Sequence, residues 1–176
     1  MRFMMDWMRQ IVIAHMVKQK IAEVAPDGLW QHGFPEIAAS NEDIQEAELI
    51  LGIELDAGYK EFLRHANGWN SFFQAIDVFG IADLLGGKKQ ERANEILESL
   101  ENLEDLCGFS RSELMAFAVS TEDIDLFIIS KSNSHAPGAV FWLAGQVIDQ
   151  FPSMEEWFLA MFDYNRREYE LAVEGS

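Results

Sequence analysis

The sequence contains little cysteine, little proline and few basic residues. Cys107 is the one cysteine in 176 residues, so no disulfide can form within the chain, and a reducing compartment, the cytoplasm, is expected. Only 4 prolines and 12 glycines stand against 49% hydrophobic residues, which excludes a disordered or collagen-like polymer. A chain of this length is expected to fold as one globular unit with a proper core.

Basic residues are outnumbered: 13 Lys and Arg face 30 Asp and Glu, giving a net charge of -17. Such a surface repels nucleic acids and anionic membranes, so neither is an expected partner. A basic protein or multivalent cations would be attracted. The alternative is that the charge serves solubility alone.

Long hydrophobic runs are absent as well. Residues 1–25 are apolar, but charged side chains such as Asp6, Arg9 and Lys18 interrupt them, which excludes a signal peptide or a membrane-spanning helix. Their spacing predicts an amphipathic helix that ends before Pro26. This helix is expected to pack on the domain, or alternatively to form a homodimer interface. Its predicted apolar face consists of Met4, Trp7, Met8, Ile11, Val12, His15 and Ile21.

Motifs for catalysis and for cofactors are also missing. The sequence contains no glycine-rich phosphate loop and no G-x-S-x-G nucleophile motif. Its histidines, His15, His32, His65 and His135, are not at metal-ligand spacing. The acidic run Glu122 to Asp125 lacks the glycine and the distal glutamate of a calcium loop. We therefore expect no enzyme, no cofactor and no metal, although an acid/base enzyme would be reconsidered if a pocket held carboxylates with perturbed pKa values.

Residue periodicity predicts an α+β fold, a single antiparallel sheet with helices packed against it. Helices are predicted at residues 42–51, 56–65 and 88–106, and a last helix follows Ser153. Strands are predicted at 75–79, and then as a meander at 115–120, 124–129, 139–143 and 146–151. We divide the chain into an N-terminal helix and connector, residues 1–41, and a domain, residues 42–176.

The helix at 88–106 is predicted to carry an acidic ridge opposite its apolar stripe. Acidic side chains lie toward its C-terminal end, which is unfavourable for the helix dipole and hints at a role other than stability. An ordinary solvated helix face is the alternative. The ridge consists of Glu91, Glu95, Glu98, Glu101 and Asp105.

A series of short motifs resembles the SUKH superfamily over about residues 42–162. The first part of the pattern is Ala47-Glu48, Leu51-Gly52, Ile53, Leu55, Tyr59, Phe62-Leu63 and Asn67-Gly68. The later landmarks are Val78-Phe79-Gly80, the strand Asp125 to Ile129, Val140-Phe141-Trp142 and Phe151-Pro152-Ser153. The chain departs from the pattern at Asp56, where the family commonly has proline, and residues 1–41 lie outside it.

The resemblance implies a binding protein without a shared catalytic constellation. Bacterial members of the superfamily are largely regarded as immunity proteins that neutralise toxins, many of them nucleases, and fungal relatives act as regulators and scaffolds. The leading hypothesis is therefore a cytoplasmic immunity protein that binds a basic toxin domain through the acidic ridge and Asp77. Trp69, Phe72 and Phe73 are candidate anchors, with a place in the core as their alternative. A second hypothesis is a scaffold or regulator that dimerises through residues 1–25.

Overall fold

The computed structural model describes residues 4–175, and it has the predicted order of elements with one strand and one short helix added and one helix divided. Within these residues the helices are α1 (Trp7–Val24), α2 (Asn41–Leu51), α3 (Ala57–His65), α4 (Ile81–Leu84), α5 (Lys88–Ser99), α6 (Leu103–Cys107) and α7 (Met154–Glu174). The strands are β1 (Trp69–Phe73), β2 (Ile76–Val78), β3 (Leu114–Ser120), β4 (Leu126–Ser130), β5 (Val140–Leu143) and β6 (Val147–Phe151). The predicted α+β fold class is confirmed.

The strands form one antiparallel meander in the order β1-β2-β3-β4-β5-β6. Each strand pairs with its neighbour in sequence, as in the pairing of Phe127 with Trp142 between β4 and β5. Short connections of this kind allow only antiparallel pairing, because a parallel crossover needs a longer segment. The meander was predicted from β2 onward, and β1 is the strand that the sequence pattern did not indicate.

Helices cover both faces of the sheet. Phe127 faces α7, since its ring centroid lies 5.5 Å from that of Trp157. The neighbouring position on β5, Phe141, points to the opposite face, where its ring lies 5.6 Å from Phe109, just after α6. Every residue of β4 is buried as a result, which is why this strand is a continuous apolar run rather than an alternating one.

The N-terminal helix α1 packs on the domain through a narrower face than the sequence predicted. The Trp7 ring lies 5.3 Å from Phe158 of α7 and 6.1 Å from Phe62 of α3. Its buried residues are Trp7, Ile11, Ala14, Lys18 and Ile21, which follow the helical period closely. The predicted face was too wide, because Met4, Met8 and Val12 lie on the exposed side. Residues 1–3 of the predicted helix lie outside the described residues.

The predicted helix at 88–106 is two helices separated by a bend. Ser99 Oγ donates to the Ile96 carbonyl at 2.6 Å, and Leu100 then adopts extended backbone at φ -89° and ψ 105°. Such a bond from a side chain to the backbone competes with the backbone hydrogen bonds of the helix. The bend allows Leu103 to reach the core at the start of α6.

Candidate interaction surface

The exposed face of α5 carries three glutamates in line. Ala93 and Leu97 are buried where α5 packs against β3, and this places Glu91, Glu95 and Glu98 on the solvent side. Glu101 in the bend and Asp105 in α6 are also exposed. We call these five residues the acidic surface. Among residues 4–175, none of the five has an ion-pair partner within 4.0 Å.

Arg92 joins α5 to the tip of the β3-β4 hairpin. Its Nε donates to the Ser120 carbonyl and its Nη2 donates to the Asp123 carbonyl, both at 2.6 Å. The hairpin tip, residues 121–125, presents the exposed side chains of Glu122 and Asp123. The bonds of Arg92 therefore hold a second group of carboxylates beside α5.

Two of the three basic residues near the start of α5, Lys89 and Arg92, make contacts inside the fold. Lys89 Nζ lies 3.4 Å from Asp77 and 3.8 Å from Asp83, and it donates to Asn70 Oδ1 at 2.6 Å. A positive charge near the N-terminus of a helix is unfavourable for the helix dipole. The contacts of Lys89 and Arg92 explain why basic residues nevertheless occupy this end of α5. They order neighbouring loops, and within residues 4–175 these two cations do not pair with the acidic surface.

Asp77 lies in the interior and not on the acidic surface, which corrects the sequence prediction. Asp77 is 7% exposed in β2, and its carboxylate pairs with Lys89 and accepts the Ser71 N–H at 2.7 Å. Ser71 has a positive φ of 52°, an uncommon conformation for a residue with a side chain. The physical role of Asp77 is therefore to hold the irregular turn of β1.

The three predicted aromatic anchors, Trp69, Phe72 and Phe73, belong to the core, so the anchor prediction is wrong and its alternative is correct. Trp69 and Phe72 are fully buried with ring centroids 4.9 Å apart. Phe72 also stacks on Phe158 at 5.4 Å, and Phe73 lies 5.5 Å from Tyr164. Because β1 is irregular at Ser71, consecutive residues of the strand are both covered by α7. Side chains without solvent contact cannot anchor a partner.

The Asn67-Gly68 motif is a packing device of the fold. Asn67 Oδ1 accepts the Ile81 N–H at 2.8 Å, at the start of α4. Gly80 approaches so closely that an added Cβ would lie 2.3 Å from the Asn67 carbonyl oxygen. A side chain at this contact is excluded by sterics. The motif therefore fixes the turn before β1 against the start of α4.

Asp56 caps α3, and this accounts for the departure from the family pattern. Its Oδ2 accepts the Tyr59 N–H at 3.0 Å, the usual bond of an N-cap residue. Burial raises the pKa of Asp56, and the capping hydrogen bond opposes that rise. An aspartate thus begins the helix here by capping it.

Several apolar side chains lie on the surface, at the hairpin tip and along the N-terminal helix. Ile124, at the hairpin tip beside Asp123, is 57% exposed. Four residues spaced four apart are each more than half exposed: Met4 just before α1, and Met8, Val12 and Met16 on it. A spacing of four does mark one helix face, but which face a helix buries depends on its neighbours.

Two searches for other kinds of site were negative over residues 4–175. In that part of the chain, no group of three or more His, Cys, Asp or Glu side chains could hold a metal ion. Over the same residues, no helix is both long and apolar enough to cross a membrane.

The fold defines an α+β domain on a six-stranded antiparallel meander, with the acidic surface on its α5–α6 layer. A sequence model of the SMI1 / KNR4 family (SUKH-1) matches residues 38–160. The chain therefore belongs to this family, and the predicted membership of the SUKH superfamily is confirmed. The matched region begins just before α2 and leaves α1 outside it. A search of curated proteins gave no match.

Proposed function

We propose that this protein is an immunity protein that binds a basic toxin domain through its acidic surface. The SUKH superfamily includes toxin-immunity proteins and Smi1/Knr4-type regulators, and it is generally non-catalytic. The observation that carries the proposal is the line of carboxylates on α5 and α6 without ion-pair partners among residues 4–175. A nuclease toxin binds phosphate through basic side chains, which such a surface would complement.

Tight inhibition also needs an apolar contact near the charges, because charges at the rim speed association more than they raise affinity. With Trp69 and its neighbours in the core, Ile124 is the candidate that remains close to carboxylates. It protrudes from the hairpin tip that Arg92 holds beside α5. We therefore assign Ile124 as an anchor of the proposed interface.

The binding test uses the toxin domain encoded next to the gene for this protein. Calorimetric titration at physiological salt is expected to give a one-to-one complex, and co-expression is expected to protect cells from the toxin. Ile124→Ala should weaken the complex by about 1–2 kcal/mol. Ile148→Ala, which also truncates an exposed isoleucine, is the matched control. No complex and no protection would refute the proposal.

A second candidate function is a scaffold or regulator that dimerises through α1. The exposed stripe of Met4, Met8, Val12 and Met16 is the observation that favours it. Methionine side chains are flexible and polarizable, and they are common at protein-binding surfaces. The stripe lies on the side of α1 opposite the residues that contact α7.

The oligomeric state tests this second function. Deleting α1 would be uninformative because Trp7 and Ile11 are part of the core, so the change is the double substitution Met8→Lys/Met16→Lys. Light scattering is expected to give twice the chain mass of 20.1 kDa for the native protein and one chain mass for the variant. A native protein of one chain mass at micromolar concentration would exclude dimerisation.

A further inference from the structure

A cavity of about 310 Å³ lies between α1 and residues 32–34. None of the residues that line it belongs to the acidic surface. His15 and Lys18 line it from α1, and His32, Gly33 and Phe34 line it from the connector. The Phe34 ring packs edge-on against His15 at 5.1 Å. We call this cavity the α1 pocket. One lysine and two imidazoles meet in its polar lining, which Gln19 and Glu23 complete.

Lys18 is the main feature of the α1 pocket. The residue is 1% exposed, and its buried Nζ has no hydrogen-bond partner within residues 4–175. A buried ammonium without a hydrogen-bond partner is costly, and such groups in native structures usually have a bound counterpart. Glu168 of α7 attracts Lys18 electrostatically, but its Oε2 is likewise buried without a hydrogen-bond partner in the described part of the chain. Burial lowers the pKa of Lys18 to about 8, against the opposing effect of Glu168, so most molecules carry the charge at pH 7.

Two ring nitrogens accompany the ammonium. His15 Nε2 and His32 Nδ1 are also buried and unpartnered within the described part of the chain. Burial lowers the pKa of His32, and the charge of Lys18 lowers it further. A neutral imidazole still offers one N–H donor. In the tautomers that carry the proton on these two nitrogens, the pocket therefore combines one cation with two N–H donors from two separate segments.

We propose that the α1 pocket binds a small oxyanion, a phosphate or a carboxylate group, through Lys18, His15 and His32. An oxyanion accepts several hydrogen bonds at once and is stabilised by the ammonium, which matches this set of donors. The volume admits such a group together with an apolar portion against Ala22 and Phe34. This site is independent of the proposed toxin interface, so either can fail without the other.

Other charged groups near the pocket set its pH dependence. Glu168 faces Lys18 from α7, and burial raises the pKa of its carboxyl while Lys18 lowers it. Glu23 also lines the pocket, but its carboxylate pairs with Lys20 Nζ at 2.9 Å. An added anion favours the protonated form of Lys18, so affinity should fall as the pH rises through about 8. Neutralising Glu168 should raise the affinity.

Histidine NMR tests the proposal with inorganic phosphate and with acetate, at constant ionic strength. The ring signals of His15 and His32 are expected to shift saturably with at least one of the two anions, and the anion that saturates identifies the group bound. His65 and His135 are internal controls, because their rings contact the Glu61 carbonyl and the Glu113 carboxylate instead. Equal drift of all four signals, or no saturation with either anion, would overturn the proposal.

Substitutions at the α1 pocket provide a second test of anion binding. Lys18→Met keeps the buried stem and removes the charge, and it should weaken anion binding at least about tenfold. Lys88→Met removes a positive charge at an exposed position of α5 outside the pocket lining, and it is the control that should bind as the native protein does. Glu168→Gln should bind the anion more tightly. Unchanged binding by Lys18→Met would contradict the proposal, and the wild-type titration remains decisive if that variant fails to fold.

Discussion

At the residue scale, several sequence landmarks of the family have a packing role. Asn67, Gly68 and Gly80 illustrate this, because the turn before β1 and the start of α4 touch through backbone atoms. The Asn67-Gly68 and Gly80 landmarks could be recognised in the sequence without knowing that they touch. The contact itself joins segments that are 12 residues apart, and the sequence does not show which segment a glycine approaches.

Substituting Gly80 tests this close approach. Gly80 has an ordinary φ of -89°, so Gly80→Ala adds no backbone strain, and its Cβ must instead displace the Asn67 carbonyl. We expect a loss of about 1–3 kcal/mol in the free energy of unfolding, measured by urea denaturation. Gly175→Ala is the control, because its added Cβ makes contacts of 3.4 Å or longer. Equal stability of the two variants would contradict the packing role.

Glu113 gives the fold a pH-dependent contact. Its carboxylate accepts bonds from His135 and from the Ser110 N–H at 2.9 Å each, and these bonds, the His135 contact first, lower its pKa from 4.5 to about 2. The stabilisation is complete above pH 4.5 and is lost as the pH falls toward 2. Wild type and Glu113→Gln should therefore converge in stability on acidification, as followed by denaturation at pH 5 and pH 3. A constant difference would show that the carboxylate charge is unimportant.

At the element scale, the helices with local signals were the most predictable. Ser40 caps α2 in a reciprocal bond pair with Asp43, and Ser153 accepts the Glu156 N–H at the start of α7. Strand β1 could not be predicted, because its alternation is broken at Ser71 and that turn depends on Asp77 in the next strand. The bend after Ser99 could not be predicted either. The helical spacing of apolar residues continues into α6, although the backbone leaves the helical conformation at Leu100.

The acidic face of α5 should cost helix stability. Glu95 lies four residues from Glu91 and three from Glu98, and like charges at these spacings repel. Glu95→Gln removes both repulsive pairs and should raise the free energy of unfolding by about 0.5 kcal/mol at low salt. The gain should shrink in high salt because of screening. A loss of stability in low salt would mean that Glu95 has a structural partner.

At the scale of the whole molecule, tertiary contacts decide where the net charge of -17 remains uncompensated on the surface. Arg92, Lys89 and Lys60 are used in internal contacts, and Lys18 is buried. Four of the 13 Lys and Arg residues are thus unavailable to neutralise the surface. Within residues 4–175, the α5–α6 layer and the neighbouring hairpin tip carry carboxylates that have no ion-pair partner. The sequence identified the acidic residues, whereas their separation from the cations depends on tertiary contacts.

The most direct test of the proposed function is the rate of association with the neighbouring toxin domain. Glu95→Lys/Glu98→Lys should slow association by about tenfold at low salt and flatten its salt dependence, because the acidic surface would no longer steer the encounter. Glu46→Lys/Glu174→Lys changes the net charge equally at exposed positions on α2 and α7, and should have a much smaller effect. Equal slowing by the two double variants would contradict a specific role of the acidic surface.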